Sequence, residues 1–98
     1  MSLSVMSPVR LRNLRMLSQP DRWPHWPFLP VIRRLPGKEA ELGVVFDAMG
    51  TANLPGFSAT VFLTNLLMMP RQLNEFLVLP KEVFDTREEL IDAGWYVD

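Results

Sequence analysis

Apolar positions along this chain change period several times, and each change marks a predicted element. Leu42–Asp47 reads LGVVFD, a short run apolar on both faces, which predicts a central strand covered on each side. Val31–Leu35 is a second short apolar run, and Pro36-Gly37-Lys38 between the two is a turn signal. The pair predicts a hairpin with a connection of about five residues. Met49–Phe57, with two glycines and a proline, reads as a loop. Ala59–Asn65 then alternates Ala59, Val61 and Leu63 with Thr60, Phe62 and Thr64, the two-residue period of a strand. Leu66–Met69 is a core-sized apolar run, and Leu66–Pro80 predicts a helical turn followed by a short strand at Glu75–Leu79.

Both ends carry helix signals. Ser7-Pro8 offers an N-cap and a proline at the first helical position. Leu11, Leu14 and Leu17 follow at intervals of three before Gln19-Pro20 stops the pattern. Val9, Leu11 and Asn13, alternating with arginines, would also suit a strand; the helix is preferred. Near the other end, Asp85-Thr86-Arg87-Glu88-Glu89 places a carboxylate three positions after a capping residue. Leu90 and Ile91 supply a buried side, and Gly94 stands where a left-handed C-cap belongs. A helix of about eight residues is marginal alone and must dock on something apolar. Trp95-Tyr96-Val97 reads as a last strand. The expected fold is α+β, a small antiparallel sheet of three to five strands with one or two short helices packed on it. It forms one compact domain over residues 8–98, behind an N-terminal tail over 1–7.

The stretch DRWPHWPFLP, residues 21–30, follows neither period. Pro24, Pro27 and Pro30 recur every three residues, as do Trp23, Trp26 and Leu29, the repeat of a polyproline II helix. As a ligand for an aromatic groove the stretch has Arg22 and Arg33 at its flanks, but neither at the offset such ligands use. Burying Phe- or Leu-sized side chains is worth about 1.5–3 kcal/mol each, against a total stability of about 5–15 kcal/mol. Residues 22–31 are therefore expected to form an extended arm across the domain that closes one edge or face of the sheet. Pro30 would suit an edge strand.

Composition narrows the class. The chain has 98 residues, 48% of them hydrophobic, and no cysteine. Disulfide frameworks, thiolate nucleophiles and zinc fingers are thereby excluded. No apolar run approaches the roughly 20 residues of a membrane span, and no signal-peptide pattern is present. A cytoplasmic protein without membrane contact is the expectation. The net charge of −1 hides a division: residues 1–38 hold Arg10, Arg12, Arg15, Arg22, Arg33, Arg34 and Lys38 against Asp21, whereas residues 39–98 hold three bases against ten acids. A basic arm for nucleic acid would produce this pattern. So would a basic half folded against an acidic half, and that reading is preferred.

One motif suggests chemistry. VVFDAMGT, residues 44–51, is an apolar strand ending in Asp47 with Gly-Thr close behind. It resembles the first motif of haloacid dehalogenase-like hydrolases, and VFLTN, residues 61–65, is similar to their second. The resemblance implies Asp47 as nucleophile, Thr64 as an oxygen-binding group and Lys81 as charge stabiliser, with Asp85 a further candidate. It covers about 20 residues. Met49 occupies the position of the second acid of phosphatase members, which leaves no proton donor for a leaving group. The family's two strands are parallel, and a parallel crossover takes a dozen or more residues. Seventeen positions separate Asp47 from Thr64, already filled by loop and strand. His25 is the one histidine, and no spacing of carboxylates supports a metal site.

The expected function is a non-catalytic protein-interaction or accessory domain, pairing with another protein or with itself and needing no cofactor. Its partner-binding surface would be Arg22, Trp23, His25, Trp26 and Phe28. The alternatives are a nucleic-acid-binding module using the Arg- and Trp-rich N-terminal half, and a small hydrolase using Asp47.

Overall fold

Ser7 opens the part of the chain that can be described: the computed structural model describes residues 7–98. Six of the seven residues read as a tail lie outside it, and Ser7 already does structural work. Its hydroxyl accepts the Arg10 N–H at 3.1 Å and caps α1 (Pro8–Ser18), with Pro8 in the first turn. Five strands follow: β1 (Phe28–Arg33), β2 (Glu41–Phe46), β3 (Thr60–Phe62), β4 (Lys81–Val83) and β5 (Trp95–Val97). Their spatial order is β4-β3-β2-β1-β5, and every pairing is antiparallel. Between them lie three short helices, α2 (Ala48–Ala52), α3 (Leu73–Leu77) and α4 (Arg87–Asp92).

The α+β architecture with an antiparallel sheet is thus the one the apolar pattern predicts. β2 lies in the middle and is covered on both sides. On one face Leu29, Val31, Val45 and Val61 pack with Trp95 against Leu17 of α1, Trp23, and Leu90 and Ile91 of α4. On the other, Val44, Phe46 and Phe62 pack against Phe76 of α3, with Phe28 and Phe57 beside them. Phe28 stacks on Phe46 with ring centroids 5.2 Å apart, within the range where aromatic pairs attract, and the rings of Phe62 and Phe76 are closer still, at 4.3 Å.

α4 forms as its caps predict. Thr86 Oγ1 accepts the Glu89 N–H, Glu89 Oε1 accepts the Asp85 N–H, and Gly94 ends the helix at φ +100°, a conformation that only glycine adopts freely. It is six residues long and docks through Leu90 and Ile91, both buried. α1 also protects the sheet. Asn13, buried on its inner side, accepts the Val97 N–H at 2.6 Å and so covers the outer edge of β5.

Four expectations are corrected. First, β1 starts at Phe28 and lies between β2 and β5, so Pro30 is not on an edge strand. Its carbonyl accepts the Asp98 N–H. Nitrogen and carbonyl of one residue point the same way in an antiparallel strand, so the missing N–H faces the end of β5 and spares the ladder with β2. Second, Glu75–Leu79 is no strand: Leu73, Phe76 and Leu77 share one face of α3 at helical spacing. Third, the strand of that region is β4, which begins directly after Pro80. Fourth, the loop expected at Met49–Phe57 begins inside α2, which Asp47 caps.

A single cationic side chain ties four of the five strands together. Arg33 of β1 donates from Nε and Nη2 to Glu41 of β2 at 2.8 and 3.1 Å, and from Nη1 and Nη2 to Glu82 of β4 at 2.9 and 2.7 Å. Its guanidinium lies 4.4 Å from the ring centroid of Trp95 of β5, and the Trp95 indole N–H donates to Glu82 at 3.2 Å. Gly43 makes room for this arrangement: a Cβ there would stand 2.4 Å from Val61 Cγ1 and 3.2 Å from the Trp95 ring. The hydrogen bonds from Arg33 hold both carboxyls below the usual glutamate range, with the Trp95 indole helping at Glu82. They keep Arg33 protonated at any accessible pH.

The opposed charges of the chain's halves meet in the same way. Arg10 pairs with Asp92, and Arg33 with Glu41 and Glu82. Each of these pairs joins the basic first 38 residues to the acidic remainder.

Two outcomes follow from this packing. Gly43→Ala should lower stability by about 1–3 kcal/mol, the usual cost of overpacking; a chemical-denaturation midpoint equal to wild type would contradict the close approach. A carboxyl whose folded pKa is depressed contributes stability above its unfolded value, near 4.3, and loses it as pH falls through the folded value. The Glu82→Gln variant should therefore be less stable than wild type at neutral pH but lose less on acidification. Urea midpoints measured from pH 7 down to about 3 would show the two curves converging, and parallel curves would reject the assignment.

Candidate functional site

The Trp-Pro stretch folds as consecutive turns, not as the extended arm its period suggests. A 3-10 turn at Pro20–Arg22 follows α1, the Trp26 N–H reaches the Trp23 carbonyl, and the Phe28 N–H reaches the His25 carbonyl. The Trp26–Pro27 peptide is cis. Trp23 turns inward: it is 5% exposed, packs with Leu17 and Leu90, and donates its indole N–H to the Met16 carbonyl at 2.6 Å. Trp26 turns outward and is 49% exposed. Phe28 enters the second core from β1.

The five residues read as a partner-binding surface are therefore divided. Arg22, His25 and Trp26 are exposed, Trp23 belongs to the interior, and Phe28 is half-buried against Phe46. Period alone cannot separate Trp23 from Trp26, because the chain turns between them and the three-residue repeat no longer maps onto one edge.

Asp47 has a structural explanation. One carboxylate oxygen accepts the Gly50 N–H at 3.1 Å as the N-cap of α2, and the other accepts the Trp26 indole N–H at 2.8 Å. Its own N–H donates to the Pro27 carbonyl, and its carbonyl accepts the Thr51 hydroxyl. The DAMGT sequence that resembles a catalytic motif is thus a capped helical turn, latched to the cis-proline segment by one indole.

Thr64 and Lys81 lie elsewhere. β2 and β3 run antiparallel with Val44 opposite Phe62, so Asp47, just past the end of β2, and Thr64, just past the end of β3, stand at opposite ends of the sheet. At about 3.3 Å per residue their separation along the strands is on the order of 16 Å. Lys81 pairs with Phe62 at the Thr64 end, its ammonium 5.6 Å from the Phe62 ring. Thr64 donates its hydroxyl to the Met68 carbonyl. The three residues do not converge on a common point. Among the described residues no group of three His, Cys, Asp or Glu could hold a metal ion, and no helix is long and apolar enough to cross a membrane.

An apolar surface that periodicity did not reveal lies on the second face. Leu66–Met69 reads as core, yet only Leu66 and Met69 pack inward. Leu67 is 96% exposed and Met68 73% exposed, both on the 3-10 turn Leu66–Met68 that Asn65 caps. Beside them opens a cleft of about 260 Å³ walled by Pro30, Leu42, Leu66 and Leu67. The four consecutive apolar residues were the available signal. Their direction depends on a 3-10 turn, in which side chains of neighbouring residues point apart.

A second cavity, of about 300 Å³, opens between the end of α1, α2 and the start of α4, with Asp47 and Arg87 on its wall. No family model, no curated protein and no solved structure matches the chain.

The capping role of Asp47 is open to test. Asp47→Ala removes the cap and the anchor of Trp26 and should cost about 0.5–2 kcal/mol. Asp47→Asn keeps an accepting oxygen and should retain most of that. Thermal melts in which both variants lose equally would deny the capping explanation.

Proposed function

We propose that this chain is a non-catalytic protein-interaction module that pairs with a second copy of itself through the face carrying Leu67 and Met68. The observation that carries this reading is the near-complete exposure of Leu67, with Met68 beside it, on a turn whose neighbours are packed. A large apolar side chain standing in water forfeits about 1.5–3 kcal/mol. Leu42, 45% exposed, extends the same surface across the cleft, and contiguous apolar surface of this kind marks contact sites between proteins.

Self-pairing is favoured because one surface offers both halves of a contact. Leu67 and Met68 project, and the apolar cleft beside them receives. A two-fold contact requires only such a self-complementary patch. The accompanying charges are few, which suits the centre of an interface and leaves the polar groups of Asn65 and Asp98 for its rim.

Size exclusion with light scattering across the micromolar range should give twice the chain mass, and the double variant Leu67→Asp, Met68→Ser should elute as a monomer with an unchanged far-ultraviolet circular dichroism spectrum. A wild-type protein that remains monomeric throughout would overturn the reading.

A further inference from the structure

The cavity between α1, α2 and α4 has a floor of buried apolar side chains, Leu17, Trp23 and Phe46, and walls that include Leu54 and Phe57. Arg87, the first residue of α4, is the one cation on its lining. Among the described residues Arg87 has no carboxylate within 4.0 Å, and its Nε is buried without any hydrogen-bond acceptor. That Nε is closed even to a water-sized probe and so faces protein, which leaves the terminal guanidinium nitrogens to meet an occupant of the cavity.

Asp47 shares the lining but does not supply a partner. It forms no ion pair with Arg87 within 4.0 Å, and its carboxylate is held by the Trp26 indole and the Gly50 amide. The cavity therefore joins an apolar interior to one guanidinium that lacks an anion. A carboxylate matches the planar fork of a guanidinium, and such charge-assisted pairs are the stronger hydrogen bonds. A dianion such as phosphate is disfavoured, because one arginine would balance only half its charge.

We propose that this cavity binds a small monocarboxylic acid with an apolar body, its carboxylate on Arg87 and its short alkyl chain or single ring against Trp23, Leu17 and Phe57. A volume of about 300 Å³ is at the lower end for ligand pockets, which restricts the occupant to a small molecule. The site is separate from the Leu67 face and does not depend on pairing.

Octanoate and hydrocinnamate are suitable probes, with octanamide as the uncharged control. In nitrogen-15 correlation spectra of the full chain, octanoate should produce saturable shifts at Leu17, Leu54, Phe57 and the Arg87 side chain. Octanamide should bind about tenfold more weakly or worse, the expected loss for one charge-assisted pair. Arg87→Met should show the same loss for octanoate, and Arg87→Lys a smaller one. Equal affinity of the acid and the amide for the wild-type protein would overturn the proposal, and needs no variant to fold. Shifts confined to Leu42 and Leu67 would overturn it as well.

Discussion

The arrangement of this sheet depends on finding partners for one half-buried cation. Arg33 has its guanidinium on the ring of the buried Trp95 and between the carboxylates of Glu41 and Glu82. Removing a charge from water is costly unless it is paired and hydrogen-bonded, and only one register meets that requirement. Sliding β1 by one residue would turn Arg33 to the opposite face, on the side of Ile32 and Leu42 and away from Glu41 and Glu82. The same slip would bring a side chain other than hydrogen under the Trp95 ring, where Gly43 now lies. Arg33 and Gly43 together specify which residues of β1, β2, β4 and β5 meet.

Once the sheet is set, its two faces are closed by unequal means. α1 and α4 cover the first with Leu17, Leu90 and Ile91, and α1 extends over the edge of β5 through Asn13. The second face has the short helices α2 and α3, through Ala48 and Phe76, and irregular chain around Phe57 and Leu66. Short elements cannot turn every apolar side chain inward, since consecutive residues of a single turn point in different directions. Leu67 and Met68 are what this thinner cover leaves outside, and the proposed interaction face is its direct consequence.

Trp26 and Asp47 illustrate how one contact can account for two suggestive motifs. A tryptophan in a proline-rich stretch suggests a ligand for another protein, and an aspartate at a strand's end suggests a nucleophile. Their hydrogen bond at 2.8 Å joins them: the indole holds the carboxylate that caps α2, and the carboxylate holds the indole at the entrance to β1. The aromatic groups available for stacking on bases shrink accordingly, because Trp23 is interior and Phe28 is half-buried. Arg12, Arg15 and Arg22 remain exposed without an ion pair among the described residues.

Local chemistry determined a large share of this structure. The caps of α1 and α4, the Pro36-Gly37-Lys38 turn, the double-sided burial of GVVF within LGVVFD and the last strand at Trp95 all follow from side chains acting on their near neighbours, so they are legible in the sequence. The partners of Arg33, lying eight and forty-nine positions away in Glu41 and Glu82, were not, nor were the outward turns of Trp26 and Leu67 and the separation of Asp47 from Thr64. Each of these depends on which strands become neighbours. That is decided by packing between distant segments, and no local period encodes it.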